Sequence, residues 1–360
     1  MEVDFSEIIR QVSELGASDL HMTVGAPPMV RIRGELKGLD FPILDARDTR
    51  DLVYGILSND QRKRLENEWQ VDFSYAVPSF GRFRVNAYMQ RASVGAAFRS
   101  IPTEIKSIEQ LGLPSVLHDF TKKPRGFVLV TGPTGSGKST SLASLINEIN
   151  ESRHEHILTI EDPIEFMHRH KRCIVNQREI GSDAQTFSLG LKAALRQDPD
   201  VILVGEMRDL DTISTALSAA ETGHLVFATL HTQDTGQTID RIIDVFPPHQ
   251  QQQVRVQLSV TLQGIMTQQL LPTADGAGRV VCCEVLALSP AVRNLIREGK
   301  THQIRSVLQT GGAKGMQSMD AALAQLIRAG KITREMGESR SSEPEELRRL
   351  LGVSATPKAA

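Results

Sequence analysis

Apolar and polar positions follow two different periods along this chain. Phe5, Ile8, Ile9, Val12 and Leu15 recur at helical spacing, which predicts an amphipathic helix over 5–15 ended by Gly16. Residues 19–24 read as a strand, 25–28 as a Gly-Ala-Pro-Pro turn, and 29–33 as a second strand closed by Gly34. Two polar helices are predicted over 46–57 and 59–68. The stretch 71–99 has the pattern of a three-stranded meander, with strands over 71–75, 82–88 and 93–99 and a turn at 78–81. Together these predict an α+β domain over 1–100, an antiparallel sheet with helices on one face. Pro102, Gly112 and Pro114 among polar residues mark 101–120 as a linker.

Beyond residue 121 the pattern changes to short, continuously apolar runs that end in polar residues. Runs over 127–130, 156–160, 201–204 and 225–230 read as buried strands, and helices over 186–197, 209–222 and 235–245 alternate with them. That alternation predicts a mostly parallel sheet with right-handed crossovers, an α/β domain over 121–290. The stretch 249–351 is expected to be mostly helical, interrupted by one strand over 279–288. Residues 291–350 form its C-terminal helical part and 351–360 a disordered tail. A length of 360 residues suits two domains, each with its own core.

The run over 127–130 breaks into glycines. Gly132, Gly137, Lys138 and Ser139 stand at the P-loop spacing G-x-x-x-x-G-K-[ST]. The glycines let the backbone bend and turn its N–H groups inward, and a helix starting near Lys138 aims its free N–H groups and dipole at the same anion. Leu142, Leu145, Ile146 and Ile149 form the apolar stripe of that helix. Gly132, Pro133, Thr134, Gly135, Ser136, Gly137, Lys138, Ser139 and Thr140 are therefore the expected cradle for ATP. Lys138 would reach the β/γ-phosphates and the Ser139 hydroxyl would hold Mg²⁺.

Ligands of open α/β sheets bind beyond the carboxyl ends of the strands, which collects Lys138, Glu161, Glu206 and His231 along one edge. Glu206 is the candidate for positioning or deprotonating water opposite the γ-phosphate. Gly205 precedes it where such strands usually place Asp, so metal coordination is expected to lean on Ser139, with Glu161, Asp162 and Glu206 in an outer shell. Glu165 is a further carboxylate candidate unless Pro163 turns it away. His231 is open between sensing the γ-phosphate and bridging to a neighbouring subunit, and His224 is counted with the nucleotide contacts.

Composition mainly excludes. With 41 basic and 43 acidic side chains no global field favours nucleic acid or anionic lipid, and Trp69 is the only tryptophan, so no nucleic-acid partner is expected. Cys173, Cys282 and Cys283 form neither a C-x-x-C pair nor a disulfide framework, and reduced thiols suit the cytoplasm. The N-terminus is acidic where a signal peptide would be basic and then apolar. No apolar stretch approaches ~18 residues, so no membrane span is expected.

Four blocks, at 132–140, 159–166, 198–209 and 223–232, resemble the Walker A motif, Asp box, atypical Walker B motif and His box of the secretion ATPase superfamily. Gly-Ala-Ser-Asp-Leu-His over 16–21, Arg-Phe-Arg-Val-Asn over 82–86 and Val-Asn-Gln-Arg-Glu over 175–179 are similar to its pilus-retraction branch. So are Ala-Val-Arg-Asn-Leu-Ile-Arg-Glu over 291–298, Gln-Thr-Gly-Gly over 309–312 and Gly315-Met316; Val292 stands where that branch usually has isoleucine. The resemblance covers about 4–335. It implies a PAS-like first domain, a RecA-like P-loop NTPase domain and C-terminal helices, assembled as a homohexameric ring that hydrolyses ATP at the base of a type IV pilus. It implies an inner-membrane platform protein resembling PilC as partner, with PilU-like and PilB-like ATPases beside it, and peripheral attachment at the membrane. It also implies that some of Arg82, Arg84 and Arg99 are arginine fingers. Pilus-extension and type II secretion ATPases fit less well, since they usually carry a longer N-terminal stretch and a four-cysteine zinc insert.

Overall fold

A computed structural model of the chain describes residues 4–32, 34–77, 80–101 and 104–352. Arg33 at the end of the second expected strand, Pro78 and Ser79 of the expected turn, Pro102 and Thr103 of the expected linker and the tail from Val353 lie outside the described residues. The chain divides into two compact units, Met1–Glu104 with Pro163–Met167, and Ile105–Asp162 with His168–Ala360.

The first unit runs α1 (Phe5–Glu14), β1 (Asp19–Met22), β2 (Met29–Ile32), β3 (Glu35–Gly38), α2 (Ala46–Ile56), α3 (Asn59–Glu68), β4 (Gln70–Val77), β5 (Gly81–Gln90) and β6 (Ser93–Ile101). Its six strands pair antiparallel in the order β3-β2-β1-β6-β5-β4. Asp45 and Ser58 close capping boxes at the starts of α2 and α3, satisfying N–H groups that a helix terminus leaves open. Ile8, Ile9 and Val12 of α1 are buried in one core with Val85 and Phe98. Leu15, expected on that apolar face, is instead the C-cap of α1 and stays 48% exposed. Strand β3 was not expected: all four residues are exposed, so it carries no apolar alternation to read.

The second unit runs α4 (Leu117–Thr121), β7 (Gly126–Thr131), α5 (Lys138–Ser152), β8 (His156–Glu161), β9 (Ile174–Glu179), α6 (Phe187–Ala194), β10 (Val201–Val204), α7 (Leu210–Glu221), β11 (Leu225–Leu230), α8 (Thr235–Asp244) and α9 (Pro248–Thr261). It continues with β12 (Leu262–Pro272), β13 (Arg279–Ala287), α10 (Pro290–Glu298), α11 (Ile304–Thr310), α12 (Met319–Arg328), α13 (Arg334–Arg340) and α14 (Pro344–Leu351). The sheet order is β13-β12-β7-β11-β10-β8-β9, parallel throughout except for the β12–β13 pair. Alternate residues of β7 feed two cores. Phe127 and Leu129 face one with α6 to α11, and Val128 and Val130 face the other with α4 and α5.

Two expectations are corrected here. The stretch 249–351 is not helix around a single strand: β12, an 11-residue strand, lies between β7 and β13. The supposed linker supplies Ile108, Leu113, Leu117 and Phe120 to the core that α5 covers. The two misreadings meet at one point. A Cβ on Gly264 of β12 would fall 2.1 Å from Cζ of Phe120, so the strand passes the α4 side chain only because residue 264 is glycine.

Candidate nucleotide site

Strand β7 is buried along its whole length and its last residue, Thr131, pairs its hydroxyl with that of Thr267 on β12 at 2.8 Å. The chain then turns through Gly132 at φ +141°, where a Cβ would stand 2.3 Å from the main-chain oxygen of Gln268. No other residue type fits there. Pro133, Thr134 and Gly135 are exposed, Ser136 is buried, and Gly137 N-caps α5 in the left-handed conformation, so the first N–H groups of that 15-residue helix face the loop. Lys138 Nζ donates to the carbonyls of Gly132 and Pro133 at 2.9 and 3.0 Å, and Ser139 and Thr140 are half-buried beside it. A glycine cradle, a helix N-terminus and a lysine converge as a phosphate requires.

The neighbouring strands end on the same edge, as the registers Thr131↔Leu230, Val204↔Ala228, Val204↔Ile160 and Glu161↔Glu179 require. Glu206 follows β10 and His231 follows β11. Glu206 Oε2 accepts from Arg208 at 2.7 Å and Oε1 lies 3.0 Å from Nε2 of His231. The Arg208 hydrogen bond, aided by His231 and outweighing burial, holds the Glu206 carboxyl below the usual range. It is therefore ionised near neutral pH, a state suited to accepting a hydrogen bond from a water and fixing its orientation.

Glu161 is half-buried at the end of β8 and accepts from Thr159 Oγ1 at 2.6 Å and from Gln177 Nε2 at 3.2 Å, while Asp162 is exposed. The glycine before Glu206 has a steric cause. A Cβ on Gly205 would approach the Ile160 oxygen to 3.1 Å and Glu161 Cα to 3.2 Å. An aspartate there would press on the backbone of β8, which would have to give by a few tenths of an ångström. Among the described residues no three His, Cys, Asp or Glu side chains gather as a metal site. A hydroxyl at a helix start with two nearby strand-end carboxylates fits a Mg²⁺ that keeps most of its ligands as water and phosphate oxygens.

Other expected residues fall elsewhere. His224 precedes β11, and its Nδ1 meets the carbonyl of Ala219 at 3.0 Å. That is the amino edge of the sheet, about 20 Å of strand away from His231. Its assignment to the nucleotide cradle is corrected accordingly. Glu165 belongs to the first unit, as do the arginines. Arg82 and Arg84 share a face of β5, with Arg84 directly opposite Arg99 on β6. Arg99 is ion-paired with Asp19 at 2.9 Å. Burial pulls the Asp19 carboxyl up, but the Ser18 hydroxyl and Arg99 outweigh it and hold it low. Sequence reasoning missed Arg208 as the partner of Glu206, although the two stand two residues apart. It also missed Gln268, which no local signal reveals: it reaches the P-loop from 132 positions along the chain.

The family model for type II/IV secretion system proteins matches residues 97–348. The chain is 49% identical over 343 residues to the Type IV pilus retractation ATPase PilT of Pseudomonas aeruginosa, covering 95% of this chain and 99% of that one. It is 40% identical over 353 residues to the Type IV pilus ATPase PilU of the same organism, covering 98% and 92%. The crystal structure of the pilus retraction motor PilT with bound ADP superposes with a TM-score of 0.90 at 53% identity, covering 97% of this chain and all of that one. With its P-loop, glycine-terminated β10 and paired Glu206 and His231 on one sheet edge, the chain belongs to the type II/IV secretion system protein family.

Proposed function

We propose that this chain is an ATP-hydrolysing motor that powers type IV pilus retraction. The observation that carries the chemistry is the common edge: a P-loop after β7, with an ionised Glu206 held between Arg208 and His231 at the ends of the adjacent strands. Lys138 and the loop N–H groups bind the β/γ-phosphates, and Ser139 would hold a Mg²⁺, which would supply charge neutralisation at the phosphates. Glu206 orients the attacking water. His231 exchanges its contact with Glu206 for one with the γ-phosphate, which links hydrolysis to the start of α8. Glu161 and Asp162 would support such an ion indirectly, from the end of the neighbouring strand.

In this reading the working unit is a homohexamer, and some of Arg82, Arg84 and Arg99 are fingers that complete a neighbouring site. Arg99 must leave Asp19 to do so. On α10, Val292 and Ile296 are buried while Arg293 and Arg297 are exposed, leaving a basic face for the pilus machine. A membrane platform protein supplies the attachment, since no described helix is long and apolar enough to span a bilayer. The test is surface piliation. Deletion of the gene is expected to raise it and re-expression to lower it again, whereas loss of pili on deletion would identify an extension motor instead.

A further inference from the structure

Gln268 lies on β12, one strand away from the P-loop, and is 1% exposed. Its Nε2 donates to the main-chain oxygen of Ser136 at 2.6 Å. That acceptor fixes the carboxamide, because only its NH₂ end can face a carbonyl. The same residue shapes the loop at two more points. Its main-chain oxygen occupies the space a Cβ on Gly132 would need, and a Cβ on Gly137 would stand 3.2 Å from its Nε2. Beneath the loop, Gln268 Oε1 and Ser136 Oγ are both buried and make no hydrogen bond among the described residues. Buried polar atoms are seldom left so, and a pair of them beneath a ligand-binding loop calls for a functional explanation. The far side of β12 is equally tied: Gln268 pairs with Cys283 of β13, whose carbonyl accepts from Gln317 at 2.7 Å just before α12.

We propose that Gln268 is a positioning residue of the nucleotide site. It pulls the Ser136 carbonyl down toward the sheet, so that the N–H groups of the following residues point up at the β-phosphate. When the loop closes on the phosphate, the Ser136 hydroxyl donates to Gln268 Oε1, and the closed loop is latched to β12 and through β13 to the C-terminal helices. This deepens the reading of the P-loop and rests on it.

The test is ADP affinity of the full chain, measured by calorimetry for wild type and four variants. Gln268→Leu keeps the volume and strands the Ser136 carbonyl; it is expected to weaken ADP binding about tenfold or more. Gln269→Leu, on the opposite face of the strand, is expected to stay within about twofold. Gln268→Glu gives the signature that a merely structural role lacks. As a carboxylate it confronts the Ser136 carbonyl with a second acceptor, but protonated it donates there as glutamine does. Burial raises such a carboxyl, so its affinity relative to wild type is expected to recover as pH falls from 8 to 6. Equal affinity of Gln268→Leu and wild type overturns the proposal, and so does a Gln268→Glu deficit independent of pH. Lys138→Ala separates the two levels. If wild type binds ADP no better than Lys138→Ala, the P-loop reading itself fails. If wild type binds and Gln268→Leu binds equally, only the latch fails.

Discussion

Replacing Gly205 with the aspartate usual at that position is predicted to cost stability and turnover together. A side chain at 205 meets two backbone atoms, the Ile160 oxygen at 3.1 Å and Glu161 Cα at 3.2 Å, so no rotamer relieves it. Nor can the residue slide away. Its N–H donates to the Ile160 oxygen at 2.7 Å and its own oxygen accepts from Thr229 Oγ1 at 2.5 Å, so any shift weakens one bond or the other. Overpacking of this kind costs about 1–3 kcal/mol. For a unit of this size that lowers the melting temperature by roughly 3–10 °C. Gly205→Ala isolates this term. Gly205→Asp adds a carboxylate between Glu161 and Glu206, which is unfavourable by like-charge repulsion, and it displaces Glu206 from Arg208 and His231. Thermal melting of the nucleotide-free protein and steady-state phosphate release measure the two effects. A Gly205→Asp variant as stable as wild type, with equal or higher turnover, would refute the steric account of the missing aspartate.

Three further outcomes follow from the same geometry. Lys138→Ala is expected to abolish measurable ADP binding by calorimetry while leaving the melting temperature of the nucleotide-free protein unchanged; a large drop in that temperature would mean that Lys138 holds the fold. Glu206→Gln keeps the shape and is expected to retain ADP affinity within a few-fold while steady-state turnover falls on the order of 10²-fold or more; wild-type turnover in this variant would remove Glu206 from the mechanism. His118 lies 2.7 Å from Glu148 of α5 and 2.8 Å from Glu109, and these carboxylates, Glu148 first, raise its pKa against the effect of burial. Its contribution to stability is therefore full below the unfolded imidazole pKa of about 6.5 and fades as pH rises through the higher folded value. The gap in urea midpoint between wild type and His118→Gln should be widest near pH 5.5 and close toward pH 9, and a gap that widens with pH would contradict the sign.

Sequence legibility tracked how each element is buried. Strands β10 and β11 were placed to the residue because each is an unbroken apolar run ending in polar residues, the signature of a strand covered on both faces. Strand β12 is mostly buried but carries Gly264, Gln268 and Gln269 in its interior and begins directly at the end of α9, so no turn residue separates two patterns. Its glycine is required by Phe120, a contact between residues that sequence spacing cannot bring together. The strand-to-helix loop was legible in full, since nine consecutive residues form it. Its surroundings were legible only as far as strand ends could be aligned. That argument gave Glu206 and His231 on one edge, yet it could not say that they touch or that Arg208 completes the pair. The His224 error came from reading one motif as one place, when the six-residue strand inside it carries its two histidines to opposite edges of the sheet.

Whether nucleotide turnover at this P-loop drives retraction can be seen by imaging fluorescently labelled pili on living cells. Cells lacking the chain would be compared with cells restored with wild type or Lys138→Ala at equal abundance. Retraction events are expected to vanish on deletion, to return with wild type and to remain absent with Lys138→Ala. Pili that retract at the wild-type rate with Lys138→Ala as the only copy would contradict the account.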